Sequence, residues 1–215
     1  MEILLKQYLG SFGQGLWLTA QLTVGGFLGA IVLGLVLATF RIGPVRYLRG
    51  VGLVYVEIFR NVPLVSLLIL MVYGLPEIGV TIAYVPSVVL AMILVGAAFA
   101  CEVFRTGVNA IPAGQIEAAR AIGLGFFGIL REVVFPQAAR AMVQPLVTLF
   151  IGVLLSSSLA GVVGVMDLTA QVSFINNKEA LGLTTFLVAA VIYAAIALGA
   201  GAIGSRLEVK LRVLR

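Results

Sequence analysis

Two nearly identical strings, EIFRNV at 57–62 and EVFRTG at 102–107, each place a glutamate three residues ahead of an arginine in apolar surroundings. At that spacing a carboxylate and a guanidinium share one side of a helix and can pair locally, as Glu57 with Arg60 or Glu102 with Arg105. Cross-pairing, Arg60 with Glu102, is equally open. A third polar feature is the run Ser156, Ser157 and Ser158 in GVLLSSSLAGVVGV, with Thr148 about two turns earlier. The chemistry these groups offer is ionic and hydrogen-bonding. The chain has no histidine, so the commonest general base and the commonest metal ligand are missing. A serine protease acting inside the membrane would need a histidine beside its serine, and metal-dependent types lack their ligands as well. The single Cys101 cannot close an internal disulfide.

The elements that hold these groups are set by composition. Of 215 residues, 61% are hydrophobic and 11% charged, whereas soluble domains run near 45–50% and about 25%. So much apolar surface needs lipid as its solvent. Runs of about 20 apolar residues span a bilayer as helices, and five qualify: roughly 15–40, 51–75, 84–105, 133–160 and 181–204. The expected fold is an all-α membrane protein, a single transmembrane domain over 1–215 with no soluble domain on either face. The first run is longer than the apolar core of a cleaved signal peptide, so it is expected to be retained.

Arg41, Arg46 and Arg49 follow the first span, Arg120 and Arg131 the third, with Arg105 and Arg140 nearby, and Arg206, Lys210, Arg212 and Arg215 follow the fifth. The opposite side has Lys6 and Lys178. The positive-inside rule then puts the N-terminus outside and the C-terminus in the cytoplasm. The net charge of +5 reads as this topology signal and not as a nucleic-acid surface, because the basic residues are scattered at helix ends.

Glu57, Arg60, Glu102 and Arg105 therefore lie within or near the ends of spans. Charges in hydrocarbon are costly and face the bundle interior. They either brace helices against one another or line and gate a path. Asn61 and Pro63 accompany the first pair; Pro63 leaves a backbone carbonyl unpaired one turn earlier, tolerated where it lines a cavity. The serines either bond back to their own helix or face a path.

Between the third and fourth spans lies QIEAARAIGLG, 115–125, inside a polar link over 106–132. Pro112 can open a helix, 113–122 holds tolerable helix formers, and Gly123 and Gly125 can close it in a left-handed cap. Ile116, Ala119 and Ile122 fall on one side. Taken alone, this is a short helix at the membrane surface joining two spans.

The longer string EAARAIGLGFFGILREVVFP resembles the EAA loop of bacterial ABC-importer permeases: E-A-A, three residues, G, nine residues, then I-x-L-P. Here Glu117, Ala118, Ala119, Gly123 and Pro136 hold the pattern, with Val133 and Phe135 as apolar replacements. EIFRNVPL (57–64), AFACEVFRTGVNAIPAGQIEAARAIGL (98–124) and FPQAARAMVQPL (135–146) are similar to the polar-amino-acid branch of that family. The resemblance covers nearly the whole chain. It implies a multi-pass protein of the bacterial cytoplasmic membrane, the permease subunit of an ATP-driven importer. Glu117, Ala118, Ala119 and Gly123 would be the coupling surface for two separate ATPase subunits, which would hold ATP-Mg, with no cofactor on this chain. A second permease subunit, an extracytoplasmic substrate-binding protein and a polar amino-acid cargo are implied too. The chain has no G-x-x-x-x-G-K-[ST] loop of its own.

The expected substrate path comprises Glu57, Arg60, Asn61, Pro63, Glu102, Thr148, Ser156, Ser157, Ser158 and Leu159. The family usually carries K-D-T-S-L or K-N-T-S-L where this chain reads Leu155-Ser156-Ser157-Ser158-Leu159. The missing countercharges would come from elsewhere in the bundle or from a second, different permease; the heterodimer is the favoured expectation. On the outside, Val165, Leu168, Val172 and Ile175 at helical spacing, with Asp167 as cap, predict an amphipathic helix on the outer surface. Gly25 and Gly29 permit close helix approach, between subunits or within one. The rival function is an ion-gradient-driven carrier or small channel.

Overall fold

The computed structural model describes residues 7–180 and 182–211, so Lys6, Arg212 and Arg215 of the orientation argument, and residue 181 at the start of the expected fifth span, lie outside it. Helices occupy most of the described chain: α1 Leu9–Ile42, α2 Arg46–Asn61, α3 Leu64–Glu77, α4 Tyr84–Asn109, α5 Ala113–Ala121, α6 Phe126–Val163, α7 Leu168–Glu179 and α8 Leu183–Leu211. Four of these, α1, α4, α6 and α8, are each long and apolar enough to cross a membrane; α2 and α3 together make a fifth if the bent pair is one span.

That bend falls inside the expected second span, 51–75, at the proline expected to break its ladder. α2 and α3 meet at 100°. Pro63 has no N–H, and the residue before a proline is pushed out of the helical region; Val62 and Pro63 are both extended, at ψ 125° and 129°. The ladder resumes with Leu67 N–H donating to the Pro63 carbonyl at 3.2 Å. The expected fourth span, 133–160, likewise sits inside a longer helix, which widens by one π-turn at Leu130–Val134 and tightens to 3-10 geometry over Ser158–Val163.

α1 and α4 form the central pair. Lipid tails are as apolar as leucine, so helices in a bilayer gain little from the hydrophobic effect and depend on close packing. Small residues allow it here: a Cβ on Gly34 would come within 2.5 Å of the Ala100 Cβ and 3.0 Å of the Ala97 carbonyl. Gly25 and Gly29 face Val89 and Ile93 of the same chain, which assigns that spacing to packing within the subunit. Successive contacts, Gly26 to Met92, Gly34 to Ala97 and Arg41 to Glu102, run in the same direction along both helices. The two are therefore parallel, as alternation requires of a first and a third span.

α7 turns its expected apolar stripe onto its own chain. Val165, Leu168, Val172 and Ile175 are all buried, the last three in a cluster with Phe12, Leu154, Ala189 and Tyr193. The apolar stripe that would have met lipid covers the chain's own helix ends. Asp167 caps α7 as expected, accepting from the Thr169 and Ala170 amides at 3.2 and 2.9 Å.

Candidate transport groove and coupling loop

α4 and α6 run antiparallel, with Gly96 near Val153 and Gly107 against Met142. Between them, beside the start of α3 at Leu64, lies a groove of about 650 Å³, within the size range of small-molecule sites. On α6 it is lined by Gln144, Thr148, Gly152 and Ser156, which recur every fourth residue and so share one face. On α4 it is lined by Met92, Val95, Phe99, Glu102, Val103 and Thr106, again at helical spacing. The walls are chiefly apolar, with a few polar groups converging.

At one end of this groove Glu102 gathers cations. Arg41, from the last turn of α1, pairs with its Oε1, and Arg105 donates from Nε and Nη2 to Oε2 at 2.9 and 2.7 Å. Arg60 Nη1 stands 3.8 Å from Oε1. Of the two expected local pairs, Glu102 with Arg105 forms. Glu57 and Arg60 make no ion pair within 4.0 Å among the described residues; the Arg60 side chain turns toward α4 instead. Arg41 had carried only an orientation argument in the sequence; its place in the cluster depends on how α1 packs on α4.

The other expected path residues separate. Thr148 and Ser156 line the groove. Ser157 is fully buried and donates to the Leu154 carbonyl at 2.7 Å, and Ser158 donates to Leu155 at 2.6 Å. These are bonds three residues back, because the helix is tightening toward 3-10 geometry there. Leu159 packs on the core. Asn61 is spent on its own helix, its amide donating to the Glu57 carbonyl at 2.7 Å, and Pro63 is the hinge. Gln144, Gly152 and Thr106 were missed; the four-residue recurrence along α6 was the signal that could have found the first two. Among the described residues, no three or more Cys, Asp or Glu side chains are grouped to hold a metal ion.

The loop beyond α4 forms a separate surface. Pro112 precedes α5 and Gly123 follows it at φ +87°, the left-handed conformation expected; Gly125, at φ −73°, is not left-handed. Glu117, Ala118 and Gly123 are exposed, and Ala119 is buried against its own chain. Gln137 on α6 donates to Gln115 Oε1 at 2.6 Å, tying α5 to the long helix. At the other end of the bundle, Asp167 is buried and also accepts from the Tyr193 hydroxyl at 3.1 Å. Burial pushes its carboxyl above the usual range, against the opposing pull of its backbone and side-chain donors.

Residues 30–213 match the family described as binding-protein-dependent transport system inner membrane component. The chain belongs to this permease family. The permease is 34% identical over 211 residues to the glutamate transport system permease protein GluC of Corynebacterium efficiens, covering 90% of this chain and 92% of that one. It is 33% identical to the probable glutamine ABC transporter permease protein GlnP of Bacillus subtilis, covering 95% of each. Among solved structures, an amino acid ABC transporter crystallised with histidines superposes with a TM-score of 0.89 at 29% identity, covering 95% of each chain. The MetNI methionine ABC transporter, at a TM-score of 0.77 and 23% identity, shares the fold. The permease is thus a multi-pass inner-membrane protein, a permease subunit of the ABC amino-acid importer family.

Proposed function

We propose that this permease forms half of the membrane path of an ATP-driven importer for polar amino acids and is driven through α5. Two separate ATPase subunits hold ATP-Mg and grip Glu117, Ala118 and Gly123, while Ala119 anchors α5 to its own chain from the other side. A second permease subunit, related or identical, closes the open side of the groove, and a binding protein delivers cargo from outside. The N-terminus is outside and the C-terminus cytoplasmic, in keeping with the arginines near α5. The glutamate and glutamine in the relatives' names support an amino-acid cargo.

The observation that carries this reading is the outward presentation of the loop. Ile122, Phe126 and Phe127 are 79%, 72% and 80% exposed around a small-residue surface. A cluster of large exposed apolar groups next to close-approach residues marks an interaction surface. The test is the complete importer in proteoliposomes, with substrate-stimulated ATP hydrolysis and uptake measured together. Gly123→Asp is expected to insert and assemble normally yet lose both stimulation and uptake. Full stimulation in that variant would overturn the assignment.

A further inference from the structure

α2 presents three different sides. Gly52 and Val56 are buried against α1 and α4, and Arg60 turns toward Glu102. The remaining side carries Tyr47, Val51, Val54 and Ile58, which recur every three or four residues and so share one face. All four are exposed. Along them runs a second groove, of about 510 Å³, with Arg46 at one end. Gly50 leaves a notch in it, since a Cβ there would meet nothing within 4 Å. Tyr55, at its edge, is fixed by donating to the Leu94 carbonyl at 2.9 Å. From Arg46 to Ile58 the helix rises about 18 Å at about 1.5 Å per residue, close to half of a hydrocarbon core about 30 Å thick. Arg49, in the same first turn as Arg46, donates from Nη2 to the Gly43 carbonyl at 3.1 Å. Neither arginine pairs with a carboxylate among the described residues, and no carboxylate lines this groove. Arg41, the third arginine around this turn, is spent on Glu102.

We propose that this groove is a site for an anionic phospholipid, with one acyl chain along Tyr47, Val51, Val54 and Ile58 and the headgroup phosphate held by Arg46, with Arg49 beside it. α1 ends at Ile42 and α2 begins at Arg46, so the two arginines stand where a span leaves the hydrocarbon and the headgroups begin. A planar guanidinium holds a phosphate through two parallel N–H donors, and basic groups beside membrane helices attract anionic lipid. Tyr47 supplies the amphipathic ring favoured at that depth. A zwitterionic lipid offers the same chain and phosphate but brings its own cation against two guanidiniums that lack a carboxylate, so the net negative headgroup is preferred. The site lies on a different side of α2 from Arg60, outside the cargo path.

The test is native mass spectrometry of the assembled permease–ATPase complex titrated with dioleoylphosphatidylglycerol or dioleoylphosphatidylcholine, without cargo or nucleotide. The tightest phosphatidylglycerol is expected to bind about tenfold more strongly than the tightest phosphatidylcholine, and Arg46→Gln with Arg49→Gln to bring the two within about twofold. Gly50→Leu, which fills the notch without a clash, should weaken both lipids by a similar factor, because it blocks the chain and leaves the headgroup contacts. Equal binding of the two lipids by the wild type, a measurement that needs no variant, would overturn the proposal. So would an unchanged preference in the double variant, or unchanged affinities in Gly50→Leu. Cross-linking of Val54→Cys to either permease subunit in native membranes would show a protein on this face and overturn it as well. A complex that couples through Gly123 yet holds both lipids equally refutes the lipid site alone. One that selects phosphatidylglycerol yet fails to couple refutes the importer assignment alone.

Discussion

Arg41, at the end of α1, and Glu102, sixty-one residues later on α4, form a direct ion pair with side chains 12% and 18% exposed. The pair ties the two parallel helices together at the end where the groove carries its charge. Removing one partner of a mostly buried pair strands the other, at a cost of about 3 kcal/mol for full burial. Because Arg105 still holds Glu102, Arg41→Ala is expected to cost somewhat less, about 2 kcal/mol. In double-mutant cycles read by unfolding in detergent, Arg41 with Glu102 should couple by more than about 1 kcal/mol, and Arg60 with Glu102, a longer and more exposed ion pair at 3.8 Å, should couple more weakly, by about 0.5 kcal/mol. Equal couplings would contradict the geometry.

Ala118 and Ala119 are neighbours in sequence but point to opposite environments. Ala119 is 5% exposed and packs on its own chain, whereas Ala118 is exposed. Ala119→Leu should therefore lower thermal stability, overpacking costing about 1–3 kcal/mol. Ala118→Leu should leave stability within about 0.5 kcal/mol and lower substrate-stimulated ATPase activity in the assembled importer. The reverse pattern would place the docking face on the wrong side of α5.

The serine run divides in the same way. Ser156 lines the groove, and Ser157 is buried with its hydroxyl on Leu154. Ser156→Leu should fill the groove and slow uptake about tenfold, equivalent to about 1.4 kcal/mol. Ser157→Ala removes a local bond together with its donor and should cost under about 1 kcal/mol, with uptake unchanged. A large transport defect in Ser157→Ala would show that the run acts as a unit.

Asp167 predicts a pH dependence with a definite sign. Its carboxyl is raised in the folded state by burial, so the folded chain binds a proton at a pH where the unfolded chain, near about 3.9, does not. Stability contributed by this group therefore rises as pH falls through the raised value and levels off below the unfolded one. Relative to Asp167→Asn, which keeps the cap but cannot titrate, the wild type should gain stability on acidification from neutral pH. Asp167→Ala should lose about 1 kcal/mol through the missing cap at neutral pH, and more on acidification as the wild type gains stability. A stability difference between wild type and Asp167→Asn that is flat across pH 4–7 would contradict this.

Much of the architecture was legible because its causes are local. Long apolar runs, Pro112 before a helix, Gly123 after it and Asp167 before another are signals within one or two turns of the residues they govern. Pro63 was legible as a broken ladder, but the size of the bend was not, because it depends on what α3 packs against after the break. α7 shows the limit from the other side: its stripe at 165, 168, 172 and 175 is the same whether the other surface is lipid or protein.

The residue order by itself determined that the chain crosses a membrane, roughly where its apolar helices lie, and the spacing of Glu117, Ala118, Ala119 and Gly123 that marks its family. It did so because hydrophobic run length, proline and glycine backbone restrictions and helix capping act between near neighbours. The tertiary structure alone decided that Arg41 and not Glu57 joins the charge cluster, that Ser156 faces the groove while Ser157 does not, and that Arg60 turns to Glu102 instead of Glu57. Those outcomes depend on the rotation and register of α1, α4 and α6, which small residues such as Gly34 set through contacts far apart in the chain.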